Sequence, residues 1–324
     1  MGNDLAATVF SQGGKSTQYD RSLFQRLEAC GHPVHMLNTQ YRMHPRISAF
    51  PRAAFYDNKL LDGANVLQAS YNKPYHRYCA FQPFVFLDLH SGAEQEKGMT
   101  SLRNVGEAVL AVNIYTTLQR LCEAEQREQQ EQQALQAQQD PQQPLPPPPP
   151  LLPPPPRQVP GIKGQVGIIT PYSQQVHELQ EQFRRALGPG FRDEVEISTV
   201  DGFQGREKDV IIVSCVRASG SAGIGFLADV RRMNVALTRA KYGLYVIGES
   251  STLRINRQWA SLIQVAREAD ALLRIADPAT DLLGLGKWSG TDGGGTSGGT
   301  GAGIVAAASG PVARNGASAE GAAR

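Results

Sequence analysis

The residues most able to do chemistry in this 324-residue chain are two arginines and a glutamate. Arg42 stands in the run NTQYRMHP and Arg239 in RRMNVALTRAK. A guanidinium stays charged and offers a planar fork of donors that fits phosphate oxygens. Two of them, brought together from distant positions, could clamp a phosphoryl group in transfer and stabilise the charge that builds on it. Surface salt bridges use the same residue type, so each arginine alone is weak evidence. Glu207, in DGFQGREK, could accept hydrogen bonds from ribose hydroxyls, and the same octet also reads as a turn with a charged tip. Its two glycines allow close backbone approach or unusual dihedrals. Ser198 and Thr199, just upstream, could bond a nucleic-acid phosphate. Tyr41 could stack on a base, although a tyrosine beside a strand is often core.

Other chemistries find less support. Gly14, Lys15 and Ser16 look like the end of a phosphate-binding P-loop, but Val9 stands where that motif needs glycine, so a flexible loop is the better reading. His44 and the other five histidines show no metal-ligand spacing, and Cys30, Cys79, Cys122 and Cys215 form no CxxC pair. A reducing compartment fits that cysteine usage. The net charge of +2 marks no global basic field, so a nucleic-acid surface would have to be local. No apolar run approaches the ~20 residues of a membrane span.

The elements that must position these residues alternate between strand and helix patterns. RSLFQRLEAC reads as a helix capped by Asp20, with Leu23, Phe24, Leu27 and Cys30 spaced to face a core. A short strand over His35 to Leu37 leads into NTQYRMHP, and Pro45 opens RISAFPRAAFY as a helix. FVFLDL (84–89), VGIIT (166–170), ISTV, VIIVSCV and GLYVIG read as buried strands. Helices are expected over 104–122, over SQQVHELQEQFRRAL, along RRMNVALTRAK and over LRINRQWASLIQVAREADALL. On that reading Arg232 and Arg239, seven apart, share one helix face, opposite Met233 and Leu237. Such alternation argues an α/β domain with a mainly parallel sheet, whose working loops gather at the carboxyl ends of the strands. From about Ala124 a Gln/Glu tract can extend the preceding helix, and PLPPPPPLLPPPP after it can only be polyproline II or disordered. From Ser289 the chain is Gly/Ala-rich and too poor in large apolar residues to order itself. The expected division is therefore 1–123, a low-complexity insertion at 124–160, a second core part at 161–275, and a disordered tail at 289–324. The proline tract could serve as a spacer or dock an SH3- or WW-type partner.

Four runs carry a family resemblance: QYRMHPRISAFPRAAFYDNKLLDG, GIITPYSQQ, STVDGFQGREKDVIIVSCVRA and GIGFLADVRRMNVALTRAKYGLYVIG. In this order they resemble successive motifs of superfamily 1 helicases, in the senataxin and regulator-of-nonsense-transcripts branch. The resemblance spans about residues 2 to 270, interrupted by the Gln/Pro tract. It implies the second of two RecA-like domains, with ATP bound between the two and single-stranded nucleic acid running across both. By position, Arg42 and Arg239 would contact the γ-phosphate, Tyr41 would stack on adenine and Glu207 would bind the ribose. Gly205 would permit close approach. Thr170, Pro171 and Tyr172, with Thr199 and Asp201, would lie along or shape the nucleic-acid path. The preceding family motif reads roughly G-D-x-x-Q-L-P-P-T-V, and only NDLAATV stands here, with Asp4 in place of the nucleotide-sensing glutamine and Ala6 and Ala7 in place of prolines. The P-loop and the Mg²⁺-binding acidic pair would then belong to the first domain.

The expected function is an ATP-dependent 5′-to-3′ helicase, with RNA, DNA or RNA–DNA hybrids as substrate and the nucleus or cytoplasm as location. The competing expectation is a non-catalytic fragment that binds nucleic acid or a partner.

Overall fold

The computed structural model describes residues 13, 16–18, 21–90, 94–96, 101–139, 161–219 and 223–288. Six strands form one sheet: β1 (Phe84–Leu89), β2 (Val166–Thr170), β3 (Val195–Thr199), β4 (Lys208–Ser214), β5 (Ala240–Gly248) and β6 (Leu272–Ile275). Their order is β6-β1-β5-β4-β2-β3, and every neighbouring pair is parallel. Strands buried on both faces need apolar side chains pointing both ways, which is why these segments read as continuous runs of Val, Ile, Leu and Phe. One face carries Val85, Leu87, Ile168, Ile212 and Ile247. The other carries Phe84, Phe86, Ile169, Ile211 and Val246.

Helices α3 (Val105–Gln139) and α4 (Ser173–Leu187) cover the first face through Ala108, Ala111, Ile114, Tyr115, Leu179 and Phe183. Helices α2 (Pro45–Phe55), α5 (Val230–Leu237) and α6 (Arg257–Glu268) cover the second through Ile47, Phe50, Met233, Trp259 and Leu262. The result is a three-layer RecA-like α/β domain. A first helix, α1 (Leu23–Ala29), buries none of its residues.

Several expectations change here. Ser22, not Asp20, caps α1, in a reciprocal capping box with Gln25; Asp20 lies outside the described residues. The apolar spacing of α1 does not make it core: Leu23, Phe24, Leu27 and Cys30 are all exposed. Spacing defines a face but not what covers it. Residues 35–37 form no strand; the extended pairing comes later, between Thr39–Gln40 and Leu61–Asp62. The last helical run divides at Asn256, which caps α6 by accepting from Gln258 N and Trp259 N. Its end, read as helix, is strand β6 instead. Helix α3 continues through the Gln/Glu tract to Gln139, so the low-complexity segment begins as helix. The proline run, the Gly/Ala-rich tail and the Gly14–Lys15 pair lie outside the described residues. Among the described residues no helix is long and apolar enough to cross a membrane.

Candidate nucleotide and nucleic-acid sites

The candidate residues lie at two rims of the sheet, not one. Glu207 immediately precedes β4 and Arg239 immediately precedes β5, so both sit at the amino ends of their strands. Arg42 joins them from 165 residues away: its Nε donates to Glu207 Oε2 at 2.6 Å, and its Nη1 donates to the Thr238 carbonyl at 3.0 Å. Thr170 and Thr199, by contrast, end β2 and β3 at the carboxyl rim. The physical reason is connectivity. Parallel strands oblige each connection to return to the opposite end, so DGFQGREK starts at one rim and finishes at the other.

At the amino rim the geometry is built from Gln40 outward. Its side chain is buried; Oε1 accepts from the N–H groups of Arg42 (2.9 Å) and Met43 (2.7 Å), and Nε2 donates to Met43 O and Asp62 Oδ1. This fixes the turn that aims Arg42. Helix α2 then starts with His44 as its cap, Nδ1 accepting from Arg46 N. That bond requires an unprotonated Nδ1, and burial lowers the His44 pKa accordingly. Tyr41 keeps its ring 64% exposed. The ring lies against Gly63, where an added Cβ would fall 2.3 Å from its Cδ1. Gly63 thus meets the Cδ1–Cε1 side of Tyr41, and the exposed ring keeps a surface suited to stacking.

Helix α5 stops at Leu237 with Thr238 as its C-cap, so Arg239 does not share a helix face with Arg232. Arg239 turns back instead: Nε donates to Val235 O (2.9 Å) and Nη2 to Thr238 Oγ1 (3.0 Å). Burial and then the charge of Arg42 lower its pKa, but a guanidinium remains charged at neutral pH. Two cations can approach because Glu207 lies with them; its hydrogen bond from Arg42 and its pairing with Lys241 hold its pKa below the usual carboxylate value. A carboxylate offers about four acceptor positions, so Glu207 can take a further hydroxyl. Gly205 has φ +81° with open space around it, so the turn needs glycine for its backbone.

At the carboxyl rim Thr199 Oγ1 accepts from Gly202 N at 3.2 Å, and Asp201 is held bidentately by Arg232 at 3.0 and 2.8 Å. Arg232 therefore serves this rim and not the arginine pair. Thr170 is fully buried, and its carbonyl accepts from Val200 N. Tyr172 is 3% exposed, with its hydroxyl accepting from Arg217 Nε at 3.0 Å; it can shape a strand path but offers little surface of its own. Pro171 is half-buried at the turn between them. Beside them Val216 adopts φ +71°, a strained backbone for a β-branched residue that costs on the order of 1–3 kcal/mol.

Sequence reasoning passed over Gln40, Gly63 and Lys241. Gln40 sits in the QYRM run, but nothing in its identity announces a buried brace. Gly63 gains meaning only once Tyr41 lies on it. Among the described residues no group of three or more His, Cys, Asp or Glu could hold a metal ion.

A family model described as an AAA domain matches residues 19–251, well over half of the chain. Among curated proteins, the probable helicase MAGATAMA 3 of Arabidopsis thaliana is 37% identical over 283 residues, covering 86% of this chain and 30% of that protein. Helicase SEN1 of Saccharomyces cerevisiae is 33% identical over 272 residues, 83% of this chain and 11% of its own length. A regulator of nonsense transcripts 1 homolog from Drosophila melanogaster is 34% identical over 272 residues, 83% of this chain and 20% of its own. The chain thus spans less than a third of the length of these relatives. The parallel sheet, the ordered motifs and these matches agree: the chain belongs to the superfamily 1 helicases of the senataxin and regulator-of-nonsense-transcripts branch.

Proposed function

We propose that this chain is the second RecA-like domain of an ATP-dependent 5′-to-3′ helicase acting on RNA, DNA or RNA–DNA hybrids. The amino rim faces the nucleotide. Arg42 and Arg239 reach the γ-phosphate, Tyr41 stacks on adenine, and Glu207 takes the ribose hydroxyls, with Gly205 shaping the loop beside it. The carboxyl rim, from Thr170, Pro171 and Tyr172 to Thr199 and Asp201, carries the single strand. The observation that supports this most is the meeting of Arg42, Glu207 and Arg239 at one rim from distant sequence positions. In the motor, Mg²⁺ would neutralise phosphate charge from ligands on the companion domain, and the two arginines would bear the charge that develops on the transferred group. The proline run is a ligand pattern for SH3- or WW-type domains, and the nucleus or cytoplasm suits such a motor.

The test uses the parent protein with its companion domain. Arg42→Ala or Arg239→Ala should lower ATP turnover ~10³-fold or more while largely sparing oligonucleotide binding. Equal loss of turnover and binding would assign both arginines a structural role instead.

A further inference from the structure

Glu107 has no place in the nucleotide cluster, yet it is one of the most enclosed charged residues in the protein, at 1% exposure. It sits in the first turn of α3, where its N–H donates to Asn104 Oδ1. Its carboxylate receives the Ser214 hydroxyl at 2.6 Å and the Val216 N–H at 2.9 and 2.8 Å, one to each oxygen. The donors around it are fixed. Gln175 Oε1 accepts from Asn104 N, which orients Gln175 Nε2 to donate to Ser214 Oγ; the serine proton is thereby directed at Glu107. Asn104 Nδ2 in turn donates to the Val216 carbonyl. The N–H and the carbonyl of Val216 are therefore gripped from α3 and the residue that precedes it, at a non-glycine residue with left-handed backbone. The next residue is Arg217, which holds the Tyr172 hydroxyl.

We propose that Glu107 is a positioning residue of the carboxyl rim: it fixes the left-handed turn at Val216 and, through that turn, the contact between Arg217 and Tyr172. The proposal rests on the assignment of this rim to single-strand binding. The convergent donors call for an ionised acceptor, whereas burial opposes ionisation and pushes the carboxyl up to about 8. The other titratable and charged groups on the surrounding elements are the Cys215 thiol, raised by burial, the Arg103–Glu178 pair and Arg217. Ionised Glu107 holds the turn, and protonated Glu107 gives up part of that hold. Strand binding should therefore strengthen as pH rises through about 8.

Two measurements on the full chain test this. Fluorescence anisotropy with a labelled single-stranded oligonucleotide, at constant ionic strength across pH 6–10, reads binding. Amide hydrogen exchange over 212–218 reads the turn itself. The wild type should gain affinity, roughly tenfold, across the titration. Glu107→Gln, which keeps the shape but cannot ionise, should show a flat profile at the weak level and faster exchange at Val216. Ser214→Ala, which removes one donor, should move the wild-type profile to higher pH. A Glu107→Gln profile parallel to the wild type, or unchanged exchange at pH 9.5, would overturn the proposal. If the wild type binds no oligonucleotide at any pH, the strand-binding assignment fails, and the exchange comparison alone decides whether Glu107 sets the turn.

Discussion

Gly167→Ala is the sharpest test of how the two rims are joined. Gly167 is the second residue of β2, and Phe203, from the segment that crosses between rims, rests on it. A Cβ at position 167 would stand 2.5 Å from Phe203 Cζ, 3.1 Å from Phe203 Cε2 and 2.8 Å from Ile211 Cδ1. Carbon atoms in contact sit about 3.5–4.0 Å apart, so the ring would have to move by roughly 1 Å. Phe203 and Ile211 are both fully buried, which leaves neither an easy retreat. Overpacking of this kind costs about 1–3 kcal/mol. For a domain of this size each kcal/mol lowers the melting temperature by about 2–4 °C. Thermal denaturation followed by circular dichroism should therefore show a drop of about 2–12 °C. The second arm is a double-mutant cycle. Phe203→Leu alone should also destabilise, through the cavity it leaves. Combined with Gly167→Ala, it should cost less than the sum, with a coupling of about 0.5–3 kcal/mol, because the smaller side chain admits the new methyl. Strict additivity would mean that the ring does not rest on Gly167, and the packing argument would fail.

Gly63→Ala should displace the Tyr41 ring without unfolding the domain, because that ring is exposed; in the parent motor it should raise the KM for ATP several-fold, and an unchanged KM would remove Tyr41 from the nucleotide site. Acid should destabilise the chain through two buried histidines. Burial lowers both pKa values, His76 to about 3, so their neutral forms stabilise the fold above pH 6.5 and that stabilisation is lost as pH falls from 6.5 toward 3. His76→Gln should flatten the urea-midpoint profile over that window, and a profile of unchanged slope would refute the assignment. Glu107 acts with the opposite sign: its raised value makes the native state bind the extra proton, so stability falls as pH rises from 4.5 to about 8, and Glu107→Gln should remove that slope.

Much of the fold was legible because its strands are buried on both faces. FVFLDL, VGIIT and the run ending at Ser214 admit little else. LLRI was not legible as a strand, since four residues after a strong helical pattern read as more helix and only the pairing with β1 decides otherwise. The candidate residues Arg42 and Glu207, singled out by type, do lie together, though as an ion pair that the sequence did not announce. The layout of the site was not legible, because the carboxyl-end rule places loops by the strand they follow, and Glu207 and Arg239 are placed by the strands they precede. The end of α5 shows the same limit. Arg232 and Arg239 are seven apart in sequence, but a helix that stops at Leu237 sends them to different rims.

The segment from Val200 to Glu207 has a consequence for how such a protein can change over time. A five-residue strand separates the rims by roughly 15 Å, far enough for substitutions at one rim to combine additively with substitutions at the other. Variants at the amino rim and variants at the carboxyl rim should therefore accumulate independently, each neutral to the other's background. The eight residues that cross are the exception. A change at Phe203 or Gly205 enters both backgrounds at once, so epistasis between the two rims should concentrate there, in a stretch short enough for a complete mutational scan.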